Sequence, residues 1–353
     1  MTTAEPNFEG KRDDEPSSCP FLSTMTEDEA AGVRELAEQV KEDVEVRGPY
    51  RVRDATGRDS VSGSRHPVKL PTNARCSLAS SSSTDPVSPY LSILPPTVQS
   101  YAPHALFCTT GTYLRYLRAR SHNVHKAARM LRDTLAWRAS YKPHLITWSE
   151  IESEVKLKKV TILDEPDRDG RPVVFMRPRN EKQGSDNELK LKYVVYVMEH
   201  ASRIADASSP DGKMAWLLDY VGYTRHNQPP WKVSLSTLSI VQNHYPERLG
   251  RAVNFKPPLL FEIFWKAIRP FVDPVTRDKL VFLSGKDVEG ESLQEEMGKY
   301  FALEALDDML GGVLEEQGMI PVESYEKRML QADDALAEAL EGLRVGDEKV
   351  ADF

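Results

Sequence analysis

Hydrophobic positions along the chain change period several times, and each change marks an element. Val33, Leu36 and Val40 fall at helical spacing behind Thr26-Glu27-Asp28-Glu29, a capping-box pattern, so an amphipathic helix is predicted over 27–41. Between about 48 and 104 no period survives. Ser, Pro, Gly and Arg dominate (SVSGSRHP, SLASSSSTDPVSPY, LPPTVQSYAPH), which reads as a disordered insert. Helical spacing returns over 112–120 and 124–138, the second with Asn123 as its cap and Val124, Ala127, Ala128, Leu131 and Leu135 on one face. A DRDG turn at 167–170 leads into a strand over 171–177. Helices follow over 188–206 and 234–244, and strands over 213–221, 251–255 and 279–284. Strands alternating with helices imply βαβ units and a mostly parallel sheet. A last helix, over 322–343, carries a thin stripe of Met329, Ala332, Leu336 and Leu340.

The segment 259–268 stands apart. Pro257 and Pro258 start it and Pro270 bounds it. Its charges and that of the next residue, Glu262, Lys266 and Arg269, share one narrow face. The rest is Leu259, Leu260, Phe261, Ile263, Phe264, Trp265, Ala267 and Ile268. A helix this apolar is buried on most sides or faces lipid. Both readings satisfy the pattern.

Composition narrows the function classes. The 353 residues hold 46 Lys and Arg against 54 Asp and Glu, a net charge of −8, which argues against general nucleic-acid binding. No apolar run is long enough to span a bilayer, and the polar N-terminus lacks a secretory core. Cys19, Cys76 and Cys108 are odd in number and far apart, which fits free thiols in a reducing, cytoplasmic setting. No metal-ligand spacing appears among Cys and His. There is no G-x-S-x-G, P-loop or G-x-G-x-x-G, so catalysis is not expected. Thr276 and Lys279 stand three apart after Asp273-Pro274. A hydroxyl and an ammonium so placed suit a phosphate, although a solvated surface turn has the same spacing.

Several motifs then fall in a recognisable order: LRYLRARSHNVHKAARML, DGRPV, YPERLG, the apolar helix, FVDPVTRDKL and ALEALDDMLGG. Over about residues 111–312 the chain resembles the CRAL-TRIO lipid-binding family in its phosphatidylinositol-transfer branch. The resemblance implies an α/β fold, a small mostly parallel β-sheet floor flanked by helices, preceded by an all-α N-terminal helical domain. The expected division is a disordered tail over 1–25, a helical domain over 26–145 carrying the insert, a lipid-binding domain over 150–312, and a C-terminal helix and tail over 313–353. The family joins its first helix to the next element by a short connection. The insert departs from that, and a disordered loop and an unspliced segment remain open as readings of it.

The resemblance also implies roles. Arg120, the last arginine of LRAR, reaches the inositol phosphate together with Thr276 and Lys279. Glu247 and Arg248 belong to a polar network coupling the gate to the fold; read locally they are an ion pair. Segment 259–268, with Leu259, Leu260, Phe261, Ile263, Phe264 and Trp265, is the gating helix over a cavity that Met214 and Trp216 also line. Met214 and Trp216 replace the small hydroxyl residues of members that bind phosphatidylcholine. Trp216 therefore narrows the cavity, stacks on a flat ligand (sterol, tocopherol-like or haem), or is a core aromatic. The expectation is a monomeric carrier of one phospholipid, phosphatidylinositol, with no cofactor, transiently at membrane surfaces and supporting phosphoinositide kinases. The alternatives are a binder of another hydrophobic ligand and a non-catalytic adaptor acting through its acidic C-terminal helix.

Overall fold

The computed structural model describes residues 21–22, 25–47, 52–53, 59–60, 106–184, 186–271, 277–284, 291–315 and 322–348. The expected tail and most of the insert lie outside these residues, as do Cys19 and Cys76. Within the insert, β1 (Val52–Arg53) and β2 (Asp59–Ser60) pair antiparallel, so this stretch is not wholly without structure.

Among the described residues, three helices form the N-terminal part. Helix α1 (Glu27–Arg47) starts at the expected capping box: the Glu29 amide donates to Thr26 Oγ1 (3.2 Å) and the Thr26 amide to Glu29 Oε2 (3.1 Å). Thr109 caps α2 (Thr110–Arg118), and Asn123 caps α3 (Val124–Tyr141) by accepting from the Lys126 amide at 2.9 Å. Their apolar stripes meet in one core of Val33, Leu36, Val40, Tyr113, Leu114, Leu117, Leu131 and Leu135. Helix α4 (Trp148–Val155) follows, begun by a capping box of Thr147 and Glu150.

The second part is a five-stranded sheet in sequential order: β3 (Val160–Ile162), β4 (Val173–Met176), β5 (Met214–Asp219), β6 (Leu249–Phe255) and β7 (Leu280–Leu283). β3 is antiparallel to β4; every other pair is parallel. The crossovers are α5 (Asn187–Ser208) between β4 and β5, α6 (Trp231–His244) between β5 and β6, and α7 (Leu259–Ile268), the first element between β6 and β7. Alternation along each strand divides the residues between two faces. Val173, Phe175, Ala215, Leu217, Val253, Phe255 and Leu283 pack with Met297, Phe301, Leu306 and Leu310 on one side, where α8 (Glu291–Gly298) lies. The closing Gly311-Gly312 pair is conformationally required: Gly311 has φ +81°, and a Cβ on Gly312 would overlap the Leu306 carbonyl.

On the opposite face, Val174 and Met214 pack with Tyr193, Tyr196 and Met198 of α5 and with α4. Tyr325 and Met329 of α9 (Val322–Glu348) complete this core, so the C-terminal helix is docked on the sheet domain. Asp333 of α9 accepts from the Tyr196 hydroxyl (2.9 Å) and lies 3.0 Å from His200 Nε2. Arg328 donates to the Ile162 and Leu163 carbonyls at the edge of the sheet.

Candidate lipid-binding site

The remaining part of this second face is not filled by side chains. Met176, Met214, Trp216, Leu218, Ala252, Asn254 and Leu280 of four neighbouring strands form the floor of a cavity of about 840 Å³. Val233, Thr237, Leu238 and Val241 of α6 form one wall, and Phe261 and Trp265 of α7 another. Successive residues of a strand point to opposite faces, which is why Met214, Trp216 and Leu218 reach the cavity while Ala215 and Leu217 do not. Trp216 is therefore a half-buried cavity residue, and its indole Nε1 is buried without a hydrogen-bond partner. Met214 is fully buried.

Helix α7 is an outer wall rather than a central core helix. Phe261 and Trp265, four apart, point inward. The Phe261 ring lies 5.0 Å from Tyr220 and 5.9 Å from Phe282, and Trp265 lies 6.2 Å from Phe282. Leu259 and Ile263, also four apart, point to solvent at 77 % and 64 % exposure. Apolar residues on both sides of a short helix fit an element with an interior and an exterior hydrophobic neighbour. The side chains of Leu260 and Phe264, and Thr276 and Asp273-Pro274 altogether, lie outside what the structure describes.

One rim of the cavity is cationic. Arg118, Arg120, Arg248 and Lys279 all reach it. Arg118 is held by Glu29 through a forked pair (2.6 and 2.9 Å), and this hydrogen bond is the main reason the Glu29 carboxyl is lowered to about 2. Arg120 is half-buried, donates to the Ala119 carbonyl (2.9 Å), and has no carboxylate within ion-pair distance among the described residues. Lys279 lies 3.9 Å from Glu247, which is also 3.7 Å from Lys213. The local Glu247–Arg248 ion pair expected from adjacency is not what forms. Glu247 sits at φ +56° and turns towards the two lysines, while Arg248 turns the other way and binds both oxygens of Asp206 at 2.6 Å. Neighbours in sequence thus join different networks. A second polar cluster on the cavity wall escaped sequence reading: Lys159 pairs with Glu154 and Glu181, and Lys190 with Glu181 (2.6 Å). Its members are dispersed over 37 residues, from Glu154 to Lys190, with no motif to join them.

Behind this rim lies a buried ion pair. Arg138 holds Glu199 in a fork (2.7 and 2.9 Å), the Tyr245 hydroxyl donates to the same carboxylate (2.8 Å), and the Arg138 guanidinium covers the Phe107 ring at 4.2 Å. Burial raises the Glu199 carboxyl, but Arg138 outweighs it and holds the group down to about 2. Trp137 stacks on His244 at 4.2 Å, and burial followed by Arg138 pushes His244 down to about 4. Cys108 is buried and its thiol is pushed up to about 12 by desolvation, the behaviour of an inert free thiol. No described helix is long and apolar enough to cross a membrane.

The chain is similar in sequence to known proteins. Residues 156–312 match the family model described as CRAL/TRIO domain. A CRAL-TRIO domain-containing protein of Schizosaccharomyces pombe is 31 % identical over 210 residues, covering 59 % of this chain and 19 % of that protein. Protein real-time of Aedes aegypti is 29 % identical over 239 residues (62 % and 36 %), and the phosphatidylinositol transfer protein PDR17 of Saccharomyces cerevisiae is 31 % identical over 186 residues (48 % and 51 %). The chain thus spans between a fifth and about half of the length of these relatives. The crystal structure of Sfh5 aligns with a TM-score of 0.41 at 19 % identity, over 48 % of this chain and 66 % of that one. The stretch that matches the CRAL/TRIO domain model, residues 156–312, is the one that holds the sequential, mostly parallel sheet and the floor of the cavity.

Proposed function

We propose that the protein binds a single phospholipid, phosphatidylinositol, and carries it between membranes. The observation that carries this reading is the cavity itself: about 840 Å³, floored by Met176, Met214, Trp216 and Leu218, with Arg120 and Lys279 on one rim. An acyl chain gains about 0.8 kcal/mol per CH₂ withdrawn from water, so only a dry cavity lets a two-chain lipid leave a bilayer. Its phosphate then needs donors, which Arg120 and Lys279 supply on the rim. Thr276, three residues from Lys279, adds a hydroxyl in this reading. Trp216 Nε1 donates to an ester carbonyl, satisfying its buried N–H.

Helix α7 is the gate. Its inner residues Phe261 and Trp265 cover the lipid, and its outer residues Leu259 and Ile263 enter the bilayer interface when it opens. Glu247, 3.9 Å from Lys279, couples headgroup contact to the segment that follows the gate. The carrier acts as a monomer in the cytoplasm, transiently at membrane surfaces, without catalysing a reaction, and presents its lipid to phosphoinositide kinases. The test is lipid transfer between donor and acceptor vesicles by Arg120→Gln and Lys279→Ala. Both variants are expected to lose phosphatidylinositol transfer while melting as the parent does; unchanged transfer in both removes the headgroup assignment.

A further inference from the structure

A second, smaller pocket of about 110 Å³ lies beside the lipid cavity, and Tyr245, Pro246 and Arg248 line both. It is walled by α2, α3, α5 and the turn from α6 into β6, and Leu336 and Leu340 of α9 flank it. Its lining is strongly cationic. Arg115, Arg138, Arg203 and Arg248 bring four guanidiniums; Glu199 and Asp206 bring two carboxylates. The lining is therefore positive by two, because His144 and His244 are both pushed down to about 4, first by burial and then by Arg138, and stay neutral near pH 7.

The donor groups are not used up by these carboxylates. Arg138 gives both terminal nitrogens to Glu199, but its Nε is buried without a partner, on a side chain only 5 % exposed. Ser202, 8 % exposed, has a buried hydroxyl with no partner. Arg203, half-buried, has no carboxylate within ion-pair distance among the described residues. Buried donors left unmade and a surplus of buried positive charge are both costly, and one anion relieves both. The pocket has room for one tetrahedral oxyanion. Guanidinium forks and a hydroxyl suit phosphate oxygens, and a dianion cancels a surplus of two.

We infer that this pocket between the helical part and α5 binds a small phosphate-type dianion, contacted by Ser202, Arg138 and Arg203. The inference rests on this pocket alone and stands or falls apart from the lipid cavity. Because Arg248 and Tyr245 belong to both walls, the bound anion steadies the segment that carries Glu247.

The experiment is isothermal titration of the full chain with inorganic phosphate, against chloride at matched ionic strength near neutral pH, with melting followed in parallel. The parent is expected to bind one phosphate saturably and to melt higher with it. Arg203→Gln weakens binding about tenfold or more, Ser202→Ala by a few-fold, and both melt as the parent without phosphate. Arg129→Gln, an exposed arginine outside the pocket, binds as the parent. Flotation with phosphatidylcholine vesicles containing phosphatidic acid separates two sources of the same chemistry. A headgroup ligand makes flotation sensitive to Arg203→Gln and to added phosphate; a free phosphate ligand leaves it indifferent. No saturable binding in the parent, or equal binding in Arg203→Gln and the parent, overturns the inference.

Discussion

The outer face of α7 gives a prediction whose size follows from exposure. Replace Leu259 and Ile263 together by serine. Both side chains are already largely in water, 77 % and 64 % exposed, so the fold loses little: within about 0.5 kcal/mol per site, as for ordinary surface changes. Transfer of a whole Leu or Ile side chain out of water gives about 1.5–3 kcal/mol. The exposed fractions leave roughly two-thirds to three-quarters of that available at each position, so the pair forfeits about 2–4 kcal/mol at the bilayer. At about 1.4 kcal/mol per decade, membrane partitioning falls roughly 30- to 1,000-fold. The assay is exchange of a fluorescent phosphatidylinositol between vesicles, read beside thermal melting. Loss of exchange with unchanged melting is expected. Exchange at the parental rate refutes α7 as the membrane-entering gate, and a collapsed melting temperature refutes the reading of its outer face.

Three further outcomes follow. Arg138→Met strands the buried Glu199 carboxylate and should cost about 3–5 kcal/mol by denaturant unfolding, whereas Arg138→Met with Glu199→Leu should recover most of it. Because the Glu199 carboxyl is lowered to about 2 in the fold, its contribution is present above the unfolded value near 4.5 and is lost as pH falls towards 2; the acid limb of a stability–pH curve should flatten between these values in the double variant. Asp333→Ala removes the acceptor facing Tyr196 and His200 and should destabilise by about 1–3 kcal/mol in a melting experiment, more than an exposed surface carboxylate would.

The docking of α9 also changes what a truncation means. An adaptor helix could be removed without touching the lipid site. Here Tyr325 and Met329 are 4 % and 1 % exposed inside the core that also holds Tyr193 and Met214, so removal of residues 322–353 perturbs the sheet domain as well. Asp333→Ala, or substitution of exposed α9 residues, separates partner binding from stability more cleanly.

What was legible in the sequence was mostly local. The capping boxes and caps at Thr26, Asn123 and the ends of α7 are written in a few consecutive residues, and these elements lie where expected. The short apolar runs over 213–221 and 251–255 form β5 and β6, each with most of its residues buried. β3 was missed because three residues, Val160, Thr161 and Ile162, are too few to show a period; their antiparallel pairing with β4 comes from the tertiary fold. α4 was missed although Thr147 and Glu150 spell a capping box. Ion-pair partners were the least legible. Adjacency suggested Glu247 with Arg248, but a left-handed turn at Glu247 sends the two side chains apart, to partners 32–42 residues away in sequence. The Arg138–Glu199–Tyr245 group and the polar Lys159–Glu181–Lys190 cluster are likewise assembled only by packing of α3, α5 and the sheet. Trp216, ambiguous between core and cavity in the sequence, is decided by strand alternation, which puts it on the open face beside Met214 and Leu218.

The most direct test of the account is mass spectrometry of the lipids that co-purify with the protein, with Lys279→Ala prepared in parallel. The account predicts phosphatidylinositol at about one per chain in the parent and a marked loss in the variant at equal folded content. An empty cavity, or a sterol, haem or other ligand present equally in both preparations, contradicts it.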